Sequence, residues 1–112
     1  MRFMSASAAL LLALSVPGLS PARADDGAYV LTIKDHRFEP GELTVPVDKR
    51  VQLTIDNQDA TAEEFESHDL RVEKVIAGHT KGTIWVGPLP AGEYKFFGEF
   101  HEDTAKGKLI AK

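Results

Sequence analysis

The segment that decides the fold lies at the end of the chain, where residues 89–110 read LPAGEYKFFGEFHEDTAKGKLI. Its opening Pro and Gly residues predict a turn. Residues 93–99 are rich in aromatic side chains and predict a strand. The polar residues after them predict a loop, and residues 107–111 predict a second strand that closes the domain. The chain therefore ends in two short strands joined by a loop that carries His101.

The rest of the chain adds more short strands. Residues 50–56 alternate cleanly, so Val51, Leu53 and Ile55 share one face of a strand. The sequence after residue 24 contains no convincing apolar stripe at helical spacing. Further strands are predicted at residues 28–34, 42–47, 64–72, 74–76 and 83–86. About seven short strands separated by turn residues predict an all-β fold, either a sandwich or a barrel.

Residues 1–24 have the pattern of a secretory signal peptide. Arg2 gives a positive start, an apolar run follows over residues 6–16, and Ala22-Arg23-Ala24 offers small residues at a cleavage site. The apolar run is too short to span a bilayer. We predict cleavage after Ala24 and a mature domain of residues 25–112. The alternative is a membrane anchor that stays attached.

The charge of the chain is acidic. The whole chain has 13 Lys+Arg and 17 Asp+Glu residues, and loss of Arg2 and Arg23 with the signal peptide changes its formal charge from −4 to −6. Such a surface argues against nucleic acid and anionic membrane as partners, and it suits cations or a basic protein. The chain has no cysteine, so no disulfide supports this small domain.

Acidic and imidazole side chains gather in two segments: Glu64, Glu66 and His68 in the first, and Glu99, His101 and Asp103 in the second. The three side chains of the first segment point the same way if that segment is extended, because alternate residues of a strand share a face. Carboxylate oxygens and imidazole nitrogens suit Cu(II), Fe(II), Fe(III), Mn(II) or Zn(II) better than Cu(I). Both segments are therefore candidate sources of metal ligands.

Several landmarks follow one another in a characteristic order. They are Phe38-x-Pro40 before a Leu-Thr-Val strand, Asn57 at a strand end, His68, a Leu-Pro-Ala-Gly-x-Tyr turn, and Tyr94-x-Phe96 before His101. In this order they resemble the cupredoxin family over essentially all of residues 25–112. The resemblance implies a Greek-key β-sandwich of about seven strands. In blue copper members of that family, two histidines, a cysteine thiolate and a methionine bind one copper ion.

The resemblance places His68 and His101 at the two histidine positions. Gly98 stands at the cysteine position, and Ala105 stands near the methionine position. Because the chain contains no cysteine, it has no thiolate for a type 1 blue copper centre. The two ligand segments of a cupredoxin meet at one end of the sandwich, so the resemblance implies one site for copper, iron or both. The predicted metal ligands are His68, His101, Glu66 and Glu99, with Glu64 and Asp103 close by.

Two longer stretches resemble one particular subgroup of the cupredoxin family. Residues 59–70 and 96–107 are similar to cysteine-free periplasmic cupredoxin-like proteins of bacterial ferrous-iron uptake systems, of which the EfeO-type cupredoxin domain is an example. This resemblance implies a periplasmic protein that binds copper or iron and supports iron uptake. It also implies a ferroxidase-like oxidation of Fe(II) before transfer, with an iron permease or other uptake component as the partner.

Other interpretations of the sequence stay open at this point. The protein could be a copper carrier with no role in iron, or a metal-free interaction module of a membrane complex. A homodimer joined through the metal end is a further option. His36 and Glu39 either form a second metal site or belong to an ordinary polar connector.

Overall fold

Two β-sheets form the domain in the computed structural model, which describes residues 28–112. The strands are β1 (Ala28–Lys34), β2 (Arg37–Glu39), β3 (Glu42–Val45), β4 (Val51–Asn57), β5 (Glu63–Ser67), β6 (Val72–Ile76), β7 (Lys81–Val86), β8 (Gly92–Gly98) and β9 (Lys106–Ala111). A single 3-10 helical turn, Glu99–His101, follows β8. The predicted signal peptide and its cleavage site lie outside the described residues.

The sheets have the orders β2-β1-β4-β7 and β3-β9-β8-β5-β6. The pairs β1–β4 and β3–β9 are parallel, and the other pairs are antiparallel. The predicted all-β sandwich is confirmed. Among the described residues, no helix has the length and apolar character needed to cross a membrane.

The core fills the space between the two sheets. Along β4 the buried side chains are Val51, Leu53 and Ile55, as the alternation predicts. An aromatic cluster joins the layers, since Phe38 from the first sheet packs edge-on against Phe65 and Phe96 of the second, with ring centroids 5.9 and 5.0 Å away. These contacts hold the two sheets together beside β5, the strand that carries Glu64 and Glu66.

One predicted strand is divided in the structure. Residues 64–72 were expected to be continuous, but β5 ends at Ser67 and β6 begins at Val72. The Ser67 hydroxyl donates to the backbone carbonyl of Lys95 at 2.6 Å and accepts the N–H of Leu70 at 3.0 Å. The bond from Leu70 closes a turn, and Arg71 ends that turn with a positive φ of 56°. The bond to Lys95 ties the turn to β8. His68 therefore lies in a turn beyond β5.

A buried asparagine fixes the loop that leads into β5. The side-chain amide of Asn57 donates to the carbonyls of Thr61 and Ile76, at 2.9 and 3.1 Å, and its oxygen accepts the N–H of Asp59 at 3.0 Å. The carboxylate of Asp59 in turn accepts the N–H groups of Asp35 and His36, at 2.8 and 2.9 Å. The loop is thereby tied to the turn between β1 and β2.

Candidate metal centre

The three glutamates of strand β5 lie on two opposite faces of the strand. Glu63, Phe65 and Ser67 face the interior and are almost completely buried. Glu64 and Glu66 lie on the opposite face, which agrees with the alternation expected of a strand. His68 was expected to continue that face, but the turn after Ser67 removes it from the strand. The strand thus offers two carboxylates outward and one inward.

The two outward glutamates meet two others, and we call Glu64, Glu66, Glu73 and Glu99 the carboxylate cluster. Each contributes one carboxylate oxygen, and these four oxygens lie within 4.8 Å of one another. Glu73 comes from β6, where it is the direct cross-strand neighbour of Glu66. Glu99 comes from the helical turn after β8. Three of the four were predicted from the sequence, and Glu73 was not.

The cluster holds more negative charge than its surroundings balance. The pKa of Glu64 is raised to about 8, chiefly by its hydrogen bond to the Glu73 carboxyl and then by that to Glu99. The hydrogen bond to Glu99 likewise raises the pKa of Glu66, and the same bonds lower the pKa of Glu99. Without a cation, protons must therefore be shared among these carboxyls.

Two oxygens of the cluster also have no hydrogen-bond partner in the part of the chain that the structure describes. Glu64 is 8 % exposed, and these oxygens are its Oε1 atom and the Oε2 atom of Glu66, which are both buried. Buried carboxylate oxygens are costly unless something satisfies them. A hard cation would supply the missing partner to both oxygens, since such ions prefer oxygen ligands.

The raised pKa of Glu64 predicts that the metal-free protein loses stability as the pH rises. The folded state keeps a proton on Glu64 between its ordinary pKa of 4.5 and about 8, whereas the unfolded state has released it. Stability should therefore fall across this window, and thermal melts at several pH values in the presence of a chelator would measure it. Glu64→Gln should flatten the slope, and an unchanged slope in that variant would contradict the assignment.

His68 borders the cluster from the side of the turn. Its ring lies 5.6 Å from that of Phe97, centroid to centroid. A cleft of about 260 Å³ joins His68 to Glu66 and Glu73. The positive charge of a protonated His68 acts to lower the pKa of Glu66, although the hydrogen bond to Glu99 has the larger, opposite effect. His68 is thus next to the carboxylate cluster, and its role as a ligand stays a prediction.

A second group of residues, which we call the inner corner, consists of Glu63, Gly98, His101 and Ala105. Glu63 Oε2 lies 2.6 Å from Nδ1 of His101, and its Oε1 accepts the N–H groups of Glu64 and Phe100, at 3.0 and 2.9 Å. The carbonyl of Ala105 accepts the N–H of Gly98 at 2.8 Å. Glu63 was not among the predicted site residues.

The inner corner brings Glu63, and not His68, beside Gly98 and Ala105. A Cβ atom built on Gly98 would lie 2.6 Å from Cδ of Glu63 and 2.7 Å from Cβ of Ala105. The side chain that meets the cysteine and methionine positions is thus Glu63, whereas His68 lies past the end of β5. The signal was present in the sequence, because the alternation that buries Phe65 also turns Glu63 inward.

His101 also contacts a second histidine. The rings of His36 and His101 stack with centroids 3.5 Å apart and an angle of 10° between their planes. Burial alone would raise the pKa of Asp59, but the N–H groups of His36 and Asp35 lower it below its ordinary value. Asp59 thus holds the backbone of His36, and the ring of His36 stacks on that of His101. Glu39 is exposed on β2, on a strand apart from this stack.

Asp103 lies in the loop after the helical turn, beside an open cleft of about 460 Å³. Glu99, His101 and His36 line the same cleft. The predicted ligands therefore fall into two neighbouring places. Glu64, Glu66 and Glu99 meet in the carboxylate cluster with His68 beside them, whereas His101 and Asp103 share the cleft. Glu99 belongs to both places.

Comparisons with known proteins agree with the architecture. Residues 4–111 match the family model described as "Cupredoxin-like domain". The uncharacterized protein RP394 of Rickettsia prowazekii is 49 % identical over 80 residues, which cover 71 % of this chain and 64 % of that protein. The chain thus spans slightly less than two thirds of this relative's length.

Solved structures show the same fold at low identity. The reduced state of an amicyanin mutant is 23 % identical with a TM-score of 0.63, covering 81 % of this chain and 88 % of that one. A chain of a heme-copper terminal oxidase dimer is 17 % identical with a TM-score of 0.65, covering 79 % of this chain and 66 % of that one. At these identities the likeness concerns the fold alone.

Proposed function

Because the chain belongs to the cupredoxin-like domain family, we propose that it is a metal-binding protein that holds its metal on the carboxylate cluster. The geometry of the cluster carries the proposal: four carboxylate oxygens lie within 4.8 Å of one another, and within residues 28–112 the buried oxygens of Glu64 and Glu66 have no hydrogen-bond partner. A bound cation would neutralise the cluster and satisfy both oxygens.

The fold suggests copper, but the inner corner does not fit that metal. The chain has no cysteine, and the Glu63 carboxylate fills the space beside Gly98 in which a ligand side chain would have to stand. Both oxygens of Glu63 already accept hydrogen bonds. No step of the proposed function therefore passes through a metal ion at the inner corner.

The carboxylate cluster fits a different class of ion. Its oxygen donors favour Fe(II), Fe(III), Mn(II) or Cu(II) over Cu(I). We include His68 as a nitrogen donor at the edge of the cluster. Asp103 and the Nε2 atom of His101, whose Nδ1 atom is bound to Glu63, are included as donors on the cleft side of Glu99. Because carboxylates stabilise the higher charge of Fe(III), this site would ease the loss of an electron from Fe(II).

The physiological part of the proposal is iron uptake. Residues 59–70 and 96–107 resemble the EfeO-type proteins of ferrous-iron uptake, and the cluster has the hard donors that iron prefers. In this proposal the signal peptide is cleaved after Ala24, the mature protein works in the periplasm, and iron passes to a membrane permease. Oxidation of Fe(II) held by the cluster would transfer one electron to O₂ and give Fe(III) and superoxide.

Metal titration of the full chain tests the proposal. Anaerobic calorimetry with Fe(II), and separately with Cu(II), is expected to give a dissociation constant below about 1 mM for at least one ion. Binding of Fe(II) in the absence of copper supports iron uptake, and binding of Cu(II) without binding of Fe(II) supports a copper carrier. Direct competition would not separate the two, because Cu(II) binds most nitrogen and oxygen sites more tightly than Fe(II) does. Failure of both ions to bind a correctly folded protein would leave the metal-free interaction module as the better interpretation.

A further inference from the structure

We infer that the Glu63 carboxylate takes the place of the metal ion at the inner corner, which is therefore a permanent, metal-free cross-link. The inference does not depend on whether the carboxylate cluster binds a metal. It concerns the position where the cupredoxin resemblance puts copper, and it explains why that position holds a glycine and an alanine.

Glu63 makes the connections that a metal ion would otherwise make. Its side chain is 1 % exposed and joins the start of β5 to the helical turn after β8. Its bonds to Phe100 N–H and to His101 Nδ1 bridge 37 and 38 positions in sequence, at 2.9 and 2.6 Å. A buried carboxylate with such partners ties the two segments together through charge-assisted hydrogen bonds.

The neighbouring residues leave room for this carboxylate. The Cβ position of Gly98 would lie 2.6 Å from Cδ of Glu63, which is closer than carbon atoms approach without displacement. Ala105 is completely buried and bounds the same space, 2.7 Å from that position. Any larger side chain at residue 98 would therefore displace the Glu63 carboxylate from its bonds. The glycine and the buried glutamate are a matched pair.

The cross-link extends to the first sheet. The Nδ1 atom of His101 is hydrogen-bonded to the Glu63 carboxylate, and the face of the His101 ring stacks on the ring of His36. His36 is held by Asp59 through its backbone N–H at 2.9 Å. Three separate segments of the chain thus meet at one end of the sandwich through Glu63, His101 and His36. In a metalloprotein of this fold, the bound ion would draw such segments together.

A thermal-stability cycle tests whether Glu63 and Gly98 are matched. Gly98→Ala is expected to lower Tm by about 8 °C or more. Gly41→Ala is the control, because no atom of the described residues lies within 4 Å of its Cβ position. Adding Glu63→Ala to Gly98→Ala should cost less than adding it to the wild-type chain. Additive effects, or a harmless Gly98→Ala, would overturn the inference.

Copper spectroscopy of the full chain gives an independent readout. Gly98→Cys alone should show no intense thiolate-to-copper absorption with Cu(II), because the new side chain and the Glu63 carboxylate compete for one space and leave none for the ion. The double variant Glu63→His with Gly98→Cys should show that absorption, since it supplies a thiolate beside two imidazoles. Absorption in the single variant, or in neither variant, would contradict the replacement of the metal by Glu63.

Discussion

Replacing Glu66 and Glu99 together with glutamine is expected to weaken the binding of Fe(II) or Cu(II) by about 100-fold or more. These residues come from β5 and from the helical turn after β8, and they contribute two of the four converging oxygens. An amide has the size of a carboxylate but carries no negative charge, so the substitution removes attraction without leaving a cavity. Calorimetric titration of both proteins would measure the change.

The fold should survive this double substitution. Relief of the repulsion among the carboxyls should leave Tm of the metal-free protein unchanged or raised. The matched control is Glu42→Gln with Glu93→Gln, which removes the same charge from a pair that contacts Lys108 instead. Equal affinities in the cluster variant and this control would show that the cluster is not the binding site.

Phe65→Ala is expected to lower the free energy of unfolding by about 3–5 kcal/mol. The Phe65 side chain is completely buried, and its ring lies 5.1 Å from that of Phe96 and 5.9 Å from that of Phe38. Its loss would open a cavity between the sheets and remove two aromatic contacts. Because domains of this size are stable by only about 5–15 kcal/mol, the variant should approach the limit of folding.

Denaturant unfolding followed by circular dichroism would measure the effect of Phe65→Ala. Phe100→Ala is the matched control, because Phe100 is 50 % exposed and its removal should cost less than about 1 kcal/mol. A loss at Phe65 no larger than that at Phe100 would mean that the aromatic cluster does not hold the two sheets together.

The sequence predicted the fold better than it predicted the site. The alternation of β4 was visible because it depends only on neighbours in the chain. The end of β5 was missed because a turn closed by the Ser67 hydroxyl and the N–H of Leu70 interrupts residues whose composition suggests one extended segment. An uninterrupted strand was therefore expected where the structure has a turn, and His68 was assigned to the wrong local structure.

The site residues likewise divide into those that local alternation predicts and those that were missed. Glu64 and Glu66 share a face through local alternation, so their proximity could be predicted. Glu73 joins them only because β5 and β6 pair with a register that sets it opposite Glu66. Glu63 was missed for a different reason, because the polar stretch around it suggests a turn although the alternation with Phe65 turns it inward. A contact between distant segments thus decided Glu73, whereas Glu63 could have been found from local alternation.

The position of β6 at the edge of its sheet gives the carboxylate cluster a mechanical consequence. Among the described strands, β6 pairs only with β5, and the like charges of Glu66 and Glu73 oppose each other across that pair. A cation between them would clamp the edge strand, so part of its binding free energy would resist local opening of β6. Amide hydrogen exchange along Val72–Ile76 should therefore slow on metal addition, and the edge strand would report whether the protein is loaded.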